Sequence, residues 1–76
     1  MALRYHIFAG TNAQARHLAS IMCMEPGEWR YVHSEEGLIG LRGGVVLCYG
    51  TWKDFPDKDK VLTRAKINEM HIFEVS

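Results

Sequence analysis

Gly10-Thr11-Asn12 lies between the aromatic and β-branched run Arg4 to Ala9 and a stretch with helical periodicity. Many nucleotide-binding folds hold a phosphate at such a strand, glycine turn and helix start, because the unpaired N–H groups of the first helical turn attract an anion. The phosphate-loop pattern is incomplete here. It needs a second glycine after four residues, then lysine and a hydroxyl, and this turn has no lysine. Ala13 and Gln14 stand where the dinucleotide fingerprint needs glycines that let a pyrophosphate approach. The plainer reading is a turn that starts a helix. Thr11 and Gln14 have capping-box spacing, in which each side chain satisfies a backbone N–H of the first turn. A small ligand, if one is held, falls to Gly10, Thr11, Asn12 and Thr51, which a parallel sheet gathers beyond the carboxyl ends of its strands.

Other chemistry is thinner. His6, His17, His33 and His71 are scattered without metal-ligand spacing, and Cys23 and Cys48 make no zinc pattern, so neither a metal nor a cofactor is expected. Both cysteines stand in apolar surroundings and read as buried thiols, not as a disulfide. Ser20, Ser34, Thr51, Cys23 and Cys48 are the available nucleophiles, and none lies in a strand-turn-helix elbow with a base to activate it. Glu35, Glu36, Asp54, Asp57 and Asp59 are explained by helix capping and solvation. The reading is therefore of a protein that is not an enzyme. Gly40-Leu41-Arg42-Gly43-Gly44 looks like the tail of ubiquitin-like modifiers, but a buried strand follows at once, so the glycine pair reads as a helix stop.

The aromatics are more informative. Trp29, Trp52 and Phe55 each bury a large area, and a small interior has limited room for them. Interface hot spots favour Trp, Tyr and Arg, which makes Arg30, Tyr31, Trp52 and Phe55 candidates for a protein contact surface. The competing reading fills the core with Trp29 and packs Trp52 as a lid.

The elements that must position these residues follow from periodicity. Arg4 to Ala9 reads as a strand. Ala15, Leu18, Ala19 and Met22 share one face of the helix that Thr11 opens and Glu25-Pro26-Gly27 stops. Trp29 to His33 is a second strand, and Ser34 with Glu35 and Glu36 opens a helix of about two turns that turns Leu38 and Leu41 inward. Val45 to Tyr49, apolar without alternation, has the pattern of a central strand covered on both faces. Thr51 to Asp59 reads as a surface loop, and Lys60 to Met70 as a helix with Val61, Leu62, Ala65 and Glu69 at helical spacing. His71 to Val75 is a closing strand, and no internal repeat is read.

The order β-α-β-α-β-α-β builds a reduced three-layer α/β domain of Rossmann-like type, with a mostly parallel four-stranded sheet whose last strand could run either way. The 76 residues make one domain, and 47% hydrophobic content is enough for a packed interior. Nine basic and nine acidic residues cancel, which argues against nucleic-acid binding, and no run approaches the ~20 apolar residues of a membrane span. The small size leaves a homodimer open.

Phe8-Ala9-Gly10-Thr11-Asn12-Ala13-Gln14-Ala15 and Glu28-Trp29-Arg30-Tyr31-Val32, followed by Leu41-Arg42-Gly43-Gly44, resemble small uncharacterised proteins of bacteriophages that infect actinobacteria. That resemblance implies a phage accessory protein in the host cytoplasm, acting on a host or phage protein. A second similarity is to the early part of P-loop motor domains. The chain departs from them by lacking the phosphate lysine and by placing Gly50-Thr51 where a metal-holding acidic pair is expected.

Overall fold

The computed structural model describes residues 5–39 and 43–75. Four strands, β1 (Tyr5–Ala9), β2 (Trp29–Val32), β3 (Val45–Tyr49) and β4 (His71–Val75), form one sheet in the order β2-β1-β3-β4. Every neighbouring pair is parallel, including β3 with β4, which settles the direction of the last strand. Helix α1 (Asn12–Ile21) links β1 to β2, and α2 (Lys58–Ile67) links β3 to β4.

The two faces of the sheet are covered separately. On one, Ala15, Leu18 and Ala19 of α1 pack on Ile7, Ala9 and Leu47. On the other, Val61 and Ala65 of α2 pack on Phe8, Val46 and Cys48, together with Val32, Leu38 and Trp52. The result is the three-layer, Rossmann-like α/β arrangement, with both interior strands covered on both faces.

Each helix ends in the same way. Cys23 and Glu69 adopt left-handed backbone (φ 56° and 59°). The amides of Met24 and Met70 then bond back to Ala19 and Ala65, while those of Cys23 and Glu69 bond to Ser20 and Lys66. This is the Schellman arrangement without its usual glycine. Its trace in the sequence is Ala-x-Ile-x-x-Met, at 19–24 and again at 65–70, and Gly-Thr follows both interior strands, at 10–11 and 50–51. The chain is thus two β-α-β halves of similar design, a repeat too short and too interrupted to stand out from residue types alone.

Several expectations need correction. Met22 is 45% exposed because α1 ends at Ile21 and Met22 is its cap, so the inward stripe stops at Ala19. Cys23 is exposed in the left-handed turn, and only Cys48 is buried. The second connector is a single 3-10 turn, Glu35–Leu38, rather than a two-turn helix, and the Ser34 side chain makes no capping bond. Leu38 is buried as expected, while Leu41, with Gly40 and Arg42, lies outside the described residues, as does Arg4. α2 starts and ends earlier than its pattern suggested, leaving Glu69 outside it. A 3-10 turn, Trp52–Asp54, interrupts the preceding loop.

Candidate functional site

In a sheet of order 2-1-3-4, the connections leave β1 and β3 in opposite directions, and the crevice between their carboxyl ends is where such folds bind ligands. Ala9 pairs with Tyr49, so Gly10 and Gly50 follow side by side, with Thr11 and Thr51 behind them. Into this crevice points Gln14. Its carboxamide oxygen accepts from the Gly10 amide at 3.1 Å, the Thr51 amide at 3.0 Å and the Thr51 hydroxyl at 3.2 Å. Two of these are obligate N–H donors, so the atom they meet must be the oxygen.

Only half of the expected capping box forms. Thr11 accepts from the Gln14 amide at 3.2 Å, but the Gln14 side chain reaches past Thr11 to Gly10 and across to β3. Glycine leaves room for this contact on both sides, and at Gly50 the left-handed backbone favours it as well. A Cβ on Gly10 would collide with the Thr51 hydroxyl, and one on Gly50, at φ 67°, would collide with the Gln14 carboxamide. Gly10 and Thr51 are therefore brought together around an oxygen that the chain itself supplies, while Thr11 caps the Gln14 backbone amide. Asn12, exposed at the start of α1, faces a different feature.

That feature is a groove of about 680 Å³ between α1 and β2, lined by Asn12, Arg16, Met24, Trp29 and Tyr31 among others. Trp29 and Tyr31 are half-buried on the α1 face of the sheet. The Tyr31 hydroxyl donates to the Ala9 carbonyl at 3.4 Å, its ring lies 5.5 Å from that of His33, and burial pushes its phenol above the ordinary value. Arg16 is exposed and has no ion pair among the described residues. The Glu28 carboxylate accepts from the Glu25 amide at 2.9 Å.

The proposed contact residues divide: Arg30 and Tyr31 both border the groove, whereas Trp52 and Phe55 do not. Strand alternation sends Arg30 to the α2 side, where its guanidinium lies beside Gly37 and its charge faces His6. Trp52 is buried, its ring 6.0 Å from Phe8, and Phe55 packs edge-on to Phe8 at 5.5 Å. Trp52 is part of the core and the partly buried Phe55 packs against it, because the 3-10 turn after Thr51 folds them over β1. Residue types and spacing do not mark Gln14 as an element of the crevice, or Arg16 and Met24 as groove residues. The Gln14 signal was present as the capping-box glutamine, but its reach across the sheet depends on β1 and β3 being neighbours.

Two other groups are set by burial. His6 is 3% exposed and its Nδ1 has no hydrogen-bond partner; desolvation, then the Arg30 charge, holds it below its ordinary value. Burial, and then Glu74, push the Cys48 thiol up to about 11, which keeps it protonated and weakly nucleophilic. No three metal-ligating side chains come together among the described residues, and no helix there is long and apolar enough to cross a membrane. Compared with known protein families, curated proteins and solved structures, the chain matches none of them.

Proposed function

We propose that this chain is a non-enzymatic interaction module that holds a segment of another protein in the α1–β2 groove. The setting that its motifs suggest is that of a small phage accessory protein in the host cytoplasm. The observation that carries the reading is the contrast between two concave features. The crevice at the strand ends is filled by Gln14, while the groove beside it is open, walled by Trp29, Tyr31 and Met24, with the unpaired cation Arg16 at its rim. Aromatic walls with an arginine suit a segment that carries an apolar side chain next to a carboxylate.

Random peptides displayed and selected on the folded protein test this. Enrichment of an acidic residue beside an aromatic or aliphatic one is expected, with affinity falling ~10-fold or more in Arg16→Glu and Trp29→Ala. Peptides without that pattern, or binding unchanged in both variants, would overturn it.

A small-ligand or nucleotide sensor at Gly10, Thr11, Asn12 and Thr51 is the second reading, favoured by the three donors that converge on one oxygen. It requires the Gln14 carboxamide to leave. Calorimetric titration with phosphate and nucleotides separates the readings, since only the sensor gives heat.

A further inference from the structure

Among the described residues, β4 ends the sheet and is bonded on one side only. The His71 amide donates to the Gly44 carbonyl at 2.9 Å, which fixes the direction of every backbone group along the strand. Successive residues of a strand turn their N–H and C=O to alternate sides. His71, Phe73 and Val75 therefore bond to β3, and Ile72 and Glu74 present theirs to the open edge. Of the devices that blunt natural edges, residues 71–75 carry only the single charge of Glu74: they contain no proline and no lysine, and five consecutive pairs with β3 run without a bulge.

We propose that two copies of this chain join β4 to β4, antiparallel, about a two-fold axis at Phe73, to make one eight-stranded sheet. This goes beyond the groove reading and does not depend on it. The register follows from the outward groups. Ile72 of each copy faces Glu74 of the other and the two exchange both hydrogen bonds, so the four open donors meet the four open acceptors. Phe73 then faces its own counterpart at the non-hydrogen-bonded position, where side chains come closest and aromatic pairs contribute most.

Phe73 is 53% exposed on the face where α1 rests on β1, β2 and β3, with the His71 ring 6.5 Å away. The axis stands perpendicular to the sheet, so both Phe73 rings lie on that same face. Charge is compatible with the pairing. Glu74 of one copy stands diagonal to Glu74 of the other, and each has Lys53 of its own chain at 3.7 Å. One five-residue strand and one aromatic pair bury less than the ~800 Å² per partner of a standard interface, so the dimer is weak and concentration-dependent.

Sedimentation velocity and amide hydrogen exchange on the whole chain, over a concentration series, test the proposal. The wild type is expected to shift from monomer to dimer as concentration rises, with exchange at Ile72 and Glu74 slowing ~10-fold or more. Phe73→Lys is expected to stay monomeric with both amides fast, and Ile21→Lys, on another element, to dimerise as the wild type does. A wild type that is monomeric throughout, a Phe73→Lys variant that still dimerises, or protection confined to other amides would overturn it. The first of these would leave the edge to a strand of a different protein. If Phe73→Lys does not fold, the concentration dependence of the two wild-type amides decides alone.

Discussion

The side-chain oxygen of Gln14 sits 3.0 Å from the Thr51 amide and so joins the first turn of α1 to the end of β3, thirty-seven residues away. It does so at the point where parallel α/β sheets ordinarily receive a ligand. A neutral carboxamide there satisfies the backbone donors that would otherwise be turned toward an anion.

Gln14→Ala should lower stability by about 1 kcal/mol in denaturant melts, since water replaces the lost acceptor at this partly exposed site. Gly50→Ala should cost about 1–3 kcal/mol, from its left-handed backbone and from the collision with Gln14. The double variant should lose less than the sum, because removing the carboxamide relieves the collision. Strict additivity would place the two residues apart.

Trp52→Ala should cost about 3–5 kcal/mol by equilibrium unfolding, as expected when a buried indole packed at a tilt against Phe8 leaves a cavity. A change near zero would return Trp52 to the surface.

Leu47→Ala on β3 should cost about 2–5 kcal/mol in the same assay, through lost burial and the cavity under α1. A loss below about 1 kcal/mol would mean that β3 is not interior.

Acid should weaken the fold through His6. Its folded-state affinity for protons lies below that of the unfolded chain, so the unfolded state binds the proton first. Stability is then level above the ordinary value of 6.5 and falls as the pH drops below it. Denaturant melts from about pH 8 to about pH 5 check this, with His6→Gln flattening the curve. An unchanged slope in that variant would assign the dependence elsewhere.

Cys23→Gly should stabilise by about 0.5–1 kcal/mol in thermal and denaturant melts, since glycine carries no penalty at φ 56°. In the native wild type, a thiol reagent should modify Cys23 and spare Cys48, which mass spectrometry of the labelled peptides reads directly.

The α/β order was legible because apolar runs and glycine stops are local signals. The unbroken run Val45 to Tyr49 gave an interior strand, and Thr11 gave the helix start. What escaped depends on geometry that the run of residues does not carry. Met22 and Cys23 have the apolar character of a core, yet the helix ends one residue before them and turns left-handed. Trp52 and Phe55 sit among turn formers, and only the approach of the 3-10 turn to Phe8 draws them inside. The Arg30 and Tyr31 side chains, adjacent in sequence, part to opposite faces because a strand alternates.

The seam between β1 and β3 runs between the two halves of the molecule, and each packed cluster crosses it: Leu47 lies among the residues of the first half, Phe8 and Val32 among those of the second. Neither half owns a complete interior. Losing one strips the other of its support, so heat or denaturant should find no stable midway species, and the domain should come apart in a single cooperative step.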